Sequence, residues 1–276
     1  MQRFWLLNGL TVALLLLPVG AIADQFRFEP GCTLPYEAIK QAHPFDDVCN
    51  LSGESQEYDP GSQVKRRAHE AKNDLCAPEP AVLLTLKDFK QLMGDVEDRG
   101  IAFGRFKYVR DRATLRGLHT KTVGGEAIAL GEGTRVRIVA YVADAKTSNV
   151  GTGEAVNCMR TTKVDNDIHI TLVGHPDDPP CTGIVAEMIP HYRPTAWRDT
   201  AVRAIERPVR VTGHLFFDSP HLPCDDQGNP ISGNPARVSL WEIHPVYTFE
   251  VCKHTTLAAC RGDHDEDWTR LGEPEP

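Results

Sequence analysis

The chain has 276 residues, of which 41% are hydrophobic, 25% charged and 7% aromatic. This composition is typical of a globular protein and excludes a disordered, collagen-like or multi-span membrane chain. The formal net charge is −8, so the protein as a whole has no positive field that would attract nucleic acid.

One long apolar segment lies at the start of the chain. Arg3 precedes an almost uninterrupted apolar run over residues 4–19, and Ala21-Ile22-Ala23 forms a small-x-small cleavage site. This order is typical of a secretory signal peptide. A retained membrane anchor is the alternative, but the run is short for a spanning helix. We therefore predict a signal peptide over residues 1–23 and an exported mature chain, periplasmic or secreted, with no transmembrane span.

Eight cysteines follow the predicted cleavage site, and no two of them form a C-x-x-C pair. In an oxidising compartment an even number of cysteines indicates disulfides. Eight cysteines allow about 105 complete pairings, so the connectivity stays open. We predict a single pair, Cys158 with Cys181, because these two residues flank one predicted strand.

Residues 24–130 have a mixed pattern of helix and loop, and we expect them to pack against a larger domain. Apolar residues recur every three or four positions over residues 64–75, which predicts one helix. A second helix is predicted to begin at Thr85, where Asp88 completes a capping box, and to stop at Gly94.

Residues 131–254 form the predicted main domain. Period-two alternation and turns rich in Gly, Pro and Asp predict five strands, with a helix over residues 194–206 between the third and the fourth. Gly213 predicts a bend or a bulge, and Pro245 predicts a bulge or a free edge. Residues 255–276 are predicted to be an acidic tail. The five predicted strands are Arg135–Ala145, Asp167–Val173, Gly183–Ile189, Val209–Asp218 and Arg237–Cys252.

The element order strand-strand-strand-helix-strand-strand predicts a mainly β fold with a helical N-terminal segment. It fits the OB-like five-stranded Greek-key barrel, although a generic α+β sheet would share the order. The two long loops, residues 145–164 and 219–235, fall between strands one and two and between strands four and five. OB-folds carry their binding loops at these two places.

Histidines and carboxylates recur along the predicted strands at polar positions that alternation places on one face. Imidazole and carboxylate are ligands for Zn²⁺ and other first-row metals, and they are also the usual acid–base pair. The alternative is a structural network, because no compact H-E-x-x-H motif is present. A divalent metal is the one cofactor considered, with His169 and His244 as its candidate ligands. The candidate site cluster is Asp167, His169, Glu187, Asp218, His221, Glu242 and His244.

Single-stranded nucleic acid is a further ligand class to consider, because OB-folds bind single strands with a basic groove and stacking aromatic rings. The acidic balance and the predicted export argue against such a partner, since Lys and Arg neutralise the phosphate backbone in these complexes. The candidate ligand-contact residues of this kind are Arg135, Arg137, Tyr141, Arg210, Phe216, Arg237 and Trp241.

Four short stretches within residues 153–252 form a recognisable signature. They are N-D-I-H-I at Asn166–Ile170, Arg193-Pro194, V-T-G-H-L-F-F-D at Val211–Asp218 and W-E-I-H-P at Trp241–Pro245. In these stretches the chain resembles a group of exported bacterial proteins of unassigned function. The resemblance implies an OB-like domain in an exported protein, and it implies no activity.

Three functional hypotheses follow. The first is an exported binding or interaction module that holds a small ligand, a glycan or a protein partner between its two long loops. The second is a metal-assisted hydrolase, in which the histidine and carboxylate cluster activates water. The third is a single-stranded nucleic-acid binder, whose affinity would fall steeply with salt.

Overall fold

The computed structural model describes residues 45–53 and 60–273. The predicted signal peptide, residues 1–23, lies outside the described residues, as does Cys32. Within the described ranges, no helix has the length and apolar character needed to cross a membrane. The α-helices are α1 Pro60–Lys72, α2 Leu86–Asp98 and α3 Asp199–Arg203. The strands are β1 Val82–Leu84, β2 His119–Val123, β3 Glu126–Leu130, β4 Arg135–Thr147, β5 Ile168–Val173, β6 Ile184–Met188, β7 Val209–Phe217, β8 Trp241–Cys252 and β9 Trp268–Arg270.

The second helix begins as predicted but is longer. The Thr85 side chain accepts a hydrogen bond from the backbone N–H of Asp88, and the Asp88 carboxylate accepts one from the backbone N–H of Thr85. The helix continues past Gly94 to Asp98, so the predicted stop is wrong. A single glycine weakens a helix by only about 1 kcal/mol, and the apolar face continues to the fully buried Val96.

The N-terminal segment also contains two elements that were not predicted. One is β1, which pairs in parallel with β4. The other is the hairpin β2–β3, which turns through Gly124 and Gly125 at φ values of 59° and 89°. A two-residue turn of this kind needs positive φ values, which glycine adopts readily. Most of the hairpin side chains are exposed or half-buried, so its sequence lacks the apolar alternation that marks a strand.

Five strands close into the predicted barrel. β4 pairs antiparallel with β5, and β5 with β6; β6 then runs parallel to β8, β8 pairs antiparallel with β7, and β7 returns to β4. This order, with α3 between the third and fourth barrel strands, is the OB topology. The predicted fold class is therefore confirmed, and all five predicted strands are present with adjusted ends.

Gly213 lies at the irregular part of the β7–β8 pair. The register shifts on both sides of it, and a Cβ atom there would lie 2.2 Å from the carbonyl oxygen of Pro245. Only glycine allows so close an approach of the two backbones. The predicted bulge at Gly213 and Pro245 is confirmed.

The helix predicted over residues 194–206 is much shorter than expected, since α3 covers Asp199–Arg203 alone. The chain before it forms a turn, in which the N–H of Trp197 donates to the carbonyl of Pro194. The carboxylate of Asp199 accepts hydrogen bonds from Thr147 in β4. These contacts hold the preceding residues against the barrel in a non-helical path.

The disulfides correct one prediction. Cys158 and Cys181 are not paired, because the whole of β5 separates them and a six-residue strand spans roughly 20 Å, whereas bridged Cα atoms lie within about 7 Å. The observed Cα–Cα distances are 5.7–5.9 Å. The disulfides between described residues are Cys49–Cys158, Cys181–Cys224 and Cys252–Cys260.

The C-terminal residues are more ordered than the prediction of an acidic tail implies. β9 pairs antiparallel with β8, and Cys260 is bound to Cys252 at the end of that strand. Trp268 is buried, and the guanidinium of Arg210 lies 5.1 Å from its ring centre. The segment therefore covers one end of the barrel sheet.

Alternation along the barrel strands separates an apolar interior from a polar outer wall. Ile170, Ala186 and Ile243 lie side by side in the interior and are fully buried. On the opposite side of the same strands, His169 and Glu187 are cross-strand neighbours. One face of these strands therefore carries ionisable side chains, and the residues that cover this outer wall determine how far those side chains are buried from water.

The end of α1 and the residues that follow it cover this wall. The backbone carbonyl of Lys72 accepts a hydrogen bond from His244 Nδ1 at 2.6 Å, and the carbonyl of Asp74 accepts one from the Tyr247 hydroxyl at 2.6 Å. That hydroxyl also accepts from the N–H of Ala77. The N-terminal segment thereby buries polar side chains that a bare barrel would leave in water.

Candidate functional site

A cavity of about 640 Å³ opens on the outer wall of the barrel. The side chains of His169 and Glu187 form part of its wall, and the covering helix α1 borders it. Both long loops that were predicted to bind a ligand contribute to it. The loop residues that border the cavity include Asn149, Glu154, Val156, Pro220, His221 and Asn234.

Three buried side chains converge at the inner side of this wall. His244 Nε2 lies 2.7 Å from Glu187 Oε2 and 3.6 Å from Asp167 Oδ2. Asp167 and His244 are fully buried, and Glu187 is 1% exposed. Despite their short separations, none of these three atoms has a hydrogen-bond partner with acceptable geometry among the described residues. We call Asp167, Glu187 and His244 the inner trio.

A second group, made of Glu154, Asp167 and His169, lies nearer the cavity and shares Asp167 with the inner trio. His169 Nε2 is 3.5 Å from Glu187 Oε1 and 3.8 Å from Glu154 Oε1. The ligand-type atoms of Glu154, Asp167 and His169 lie within 4.8 Å of one another. Glu187 therefore stands between the two histidines, with one carboxylate oxygen near each.

The remaining predicted residues form a separate ion-pair chain. Arg237, which is fully buried, donates to Asp218 Oδ2 and Glu242 Oε2, both at 2.6 Å. His221 Nδ1 lies 2.6 Å from the same Asp218 oxygen. One guanidinium thus holds two carboxyl groups in place, an arrangement that loses several kcal/mol if one partner alone is removed.

The charge of Lys72 interacts both with Glu187 of the inner trio and with the carboxyl groups of the Arg237 ion-pair chain. Its Nζ lies 3.6 Å from Glu187 Oε2. Burial alone lowers the pKa of Lys72, but Glu187, Asp218 and Glu242 raise it well above its usual value. The ammonium group is therefore charged at the cavity wall.

Burial and neighbouring charges separate the pKa values of the carboxyl groups. Burial raises the pKa of Glu242 well above its usual value, and the charges of Glu187 and Asp218 add to this rise. Burial acts in the same direction on Glu187, but the nearby histidines and Lys72 outweigh it and hold its pKa well below the usual value. Burial lowers the pKa of His244, whereas the charge of Glu187 raises it to about 10.

The structure therefore divides the seven predicted side chains between two groups, and residues that were not predicted contact them. The first group is Asp167, His169, Glu187 and His244, and the second is Asp218, His221 and Glu242. Glu154 and Lys72 are the important omissions. Glu154 lies in a loop, where no alternation indicates its direction, and Lys72 comes from a helix far away in sequence. Neither carried a signal that strand patterns could reveal.

The predicted ligand-contact residues have internal partners. Arg135 donates to the carbonyl of Ala77, and the indole N–H of Trp241 donates to the carbonyl of Leu92. Tyr141 is buried with its hydroxyl on the carbonyl of Thr255. Of the wider set, Phe216 borders the cavity. The members that do not border the cavity are Arg135, Arg137, Tyr141, Arg210, Arg237 and Trp241.

No protein-family model, curated protein or solved structure matches this chain. The fold and the cavity define an OB-barrel protein with a buried histidine and carboxylate cluster beside its two long loops. Because OB-folds serve many functions, the function has to be argued from the cavity itself.

Proposed function

We propose that the protein is an exported binding module that holds a small polar ligand in the cavity between its two long loops. The observation that carries this proposal is the coincidence of the cavity with the β5–β6 face and both loops, the part of an OB-fold that takes oligonucleotides and oligosaccharides. A volume of about 640 Å³ also falls within the range of small-molecule sites.

The chemistry of the wall favours a ligand rich in hydrogen-bond donors. Glu154, Glu187 and Asp218 present carboxylate groups to the cavity, and Asn149 and Asn234 add amides. Lys72 and Lys146 also line it, and the ammonium of Lys72 is paired with Glu187. Carboxylates accept hydrogen bonds and do not donate them when ionised. A ligand bearing hydroxyl or amino groups, such as a sugar or an amino sugar, would satisfy these acceptors.

Export is part of the proposal. Three disulfides join described cysteines, and disulfides persist in oxidising compartments rather than in the cytoplasm. The signal-peptide pattern of residues 1–23 supports the same location. The resemblance of residues 153–252 to exported proteins agrees with it.

The binding proposal can be tested by calorimetric titration of the disulfide-bonded protein with neutral sugars, amino sugars and sugar acids. We expect the neutral or amino sugars to bind and the sugar acids to bind less well. His221→Ala should weaken the binding by about 10-fold, since loss of one hydrogen bond to a ligand costs about 1–1.5 kcal/mol.

His175→Ala provides the matched control, because this histidine is exposed and lies outside the cavity. Equal weakening by both variants would contradict a site in the cavity. Preference for the acidic sugars, or no binding to any of the three classes, would reject the proposed ligand chemistry.

A metal-assisted hydrolase remains a second candidate, because one observation favours it. Glu187 borders the cavity and also belongs to the inner trio, so a metal ion held there would be next to a bound ligand. A metal ion can lower the pKa of bound water and supply a nucleophile at neutral pH. Hydrolysis of a bound sugar derivative, lost on chelation, would support this candidate over simple binding.

A further inference from the structure

The inner trio differs from an ordinary buried ion-pair network. In such networks the polar atoms have hydrogen-bond partners, because an unpaired buried polar group costs about 1–3 kcal/mol. Among the described residues, Asp167 Oδ2, Glu187 Oε2 and His244 Nε2 have no well-aligned hydrogen bond, although Glu187 Oε2 and His244 Nε2 form an ion pair 2.7 Å apart and all three atoms lie within 4.8 Å of one another. Three buried ligand-type atoms thus converge on one point.

The outer contacts of the trio orient these atoms. His244 Nδ1 donates to the backbone carbonyl of Lys72 at 2.6 Å, which directs Nε2 towards the two carboxylates. The other oxygen of Asp167 accepts a hydrogen bond from Asn157 at 3.1 Å. Histidines that bind metals usually donate their second nitrogen to a carbonyl or carboxylate in this way, and ligating carboxylates are likewise hydrogen-bonded.

We propose that Asp167, Glu187 and His244 bind a first-row divalent metal ion, of the Zn²⁺ or Mn²⁺ type. One imidazole and two carboxylates suit such ions, whereas Ca²⁺ and Mg²⁺ prefer ligand sets made of oxygen alone. Glu187 borders the cavity, so the ion reaches the trio from that side. The proposal concerns metal binding alone and does not depend on the ligand proposed above.

The inner trio is a better site than the neighbouring group of Glu154, Asp167 and His169. Glu154 already accepts a hydrogen bond from the side chain of Asn149, and within the described part of the chain neither nitrogen of His169 has a hydrogen-bond partner that would orient the ring. The side chain of His244 is fully buried and oriented, whereas that of His169 is 14% exposed. His169 is therefore a matched control for His244, because both histidines contact the carboxylate of Glu187.

Lys72 is the competitor of the metal ion. Its ammonium lies 3.6 Å from Glu187 Oε2, one of the proposed ligand atoms. The Lys72 ammonium offsets part of the carboxylate charge, so a metal ion has to compete with it for Glu187. Replacing Lys72 with methionine removes the competing charge but keeps the backbone carbonyl that orients His244.

The experiment uses the full disulfide-bonded protein, freed of metal with a chelator and then dialysed. Co²⁺ is titrated in while its visible absorption is followed, and Zn²⁺ is used to displace it. We expect one equivalent of Co²⁺ to bind, and His244→Ala to weaken binding by more than about 10-fold. His169→Ala should leave the affinity nearly unchanged, and Lys72→Met should increase it.

Folding of each variant is checked by its thermal unfolding, and Glu187→Gln and Asp167→Asn serve as variants of unchanged shape if His244→Ala does not fold. These two should also lose Co²⁺ binding. Absence of saturable Co²⁺ binding to the folded wild-type protein would overturn the proposal. So would loss of binding in His169→Ala with retention in His244→Ala, because the ion would then occupy the neighbouring group.

Discussion

His69 shows how the cover over the barrel wall changes the chemistry of a single residue. It lies in α1, borders the cavity and is 5% exposed. Burial lowers its pKa to about 4, and the positive charges of Lys65 and Lys72 act in the same direction. Its Nδ1 donates to the carbonyl of Ser52, as a neutral imidazole can. The folded protein therefore keeps this histidine uncharged.

This shift predicts a pH-dependent loss of stability. The unfolded chain protonates His69 near pH 6.5, whereas the folded protein does so only near pH 4. Its contribution is therefore fully present above about pH 6.5 and is lost as the pH falls towards 4, by about 3 kcal/mol in total. We expect His69→Gln to remove this part of the acid sensitivity in urea unfolding between pH 4 and 7.

His175→Gln is the control for this measurement, because His175 is 66% exposed at its side chain. Its pH profile should follow that of the wild type. If His69→Gln also ran parallel to the wild type over the whole range, His69 would not be buried in its neutral form.

At the scale of the element, α2 depends on the reciprocal hydrogen bonds at its start. Thr85 and Asp88 each satisfy a backbone N–H that the first helical turn leaves without a partner. Asp88 also pairs with Lys121 of β2 at 2.7 Å. The same carboxylate thus holds the helix start and the neighbouring hairpin.

Thr85→Ala should lower the free energy of unfolding by about 1 kcal/mol, since an alanine cannot accept the capping hydrogen bond. Chemical denaturation followed by circular dichroism measures this change. Thr256→Ala is the matched control, because Thr256 is exposed and precedes a short 3-10 turn without a capping side-chain hydrogen bond. An equal loss in both variants would show that the cap at Thr85 contributes nothing specific.

At the scale of the whole molecule, the disulfides differ in what they connect. Cys49–Cys158 joins the N-terminal segment to the loop that borders the cavity, across a sequence separation of 109 residues. Cys252–Cys260 closes a separation of only 8 residues beside β9. Loop-closure entropy makes the longer closure the more stabilising one.

Replacing both members of Cys49–Cys158 with alanine should therefore destabilise the protein by about 4.8 kcal/mol, against about 2.6 kcal/mol for Cys252–Cys260. Equilibrium unfolding of the two double variants in urea measures the difference. The first variant should also bind sugars more weakly, because the loop that contains Cys158 is no longer tied to the N-terminal segment. Equal destabilisation would indicate that chain entropy does not govern these bonds.

Sequence patterns predicted the five barrel strands and their order, because alternation and turn residues are local features. Alternation gave each barrel strand, and Gly213 with Pro245 marked the bulge, since these features depend on neighbouring residues. The hairpin β2–β3 was not predicted because its exposed strands lack apolar alternation. The helix over residues 194–206 was overestimated because tertiary contacts of Asp199 replaced helical ones.

The same rules placed histidines and carboxylates at polar strand positions but did not predict which residues would contact them. Only the tertiary structure decided that Lys72 and Glu154 join them, that Arg237 holds Asp218 and Glu242, and that Cys158 bonds Cys49. These contacts join residues far apart in sequence, and local periodicity carries no information about such pairs. The packing of α1 on the barrel is also a contact between residues far apart in sequence, and it buries a polar strand face so that the pKa values of its side chains shift.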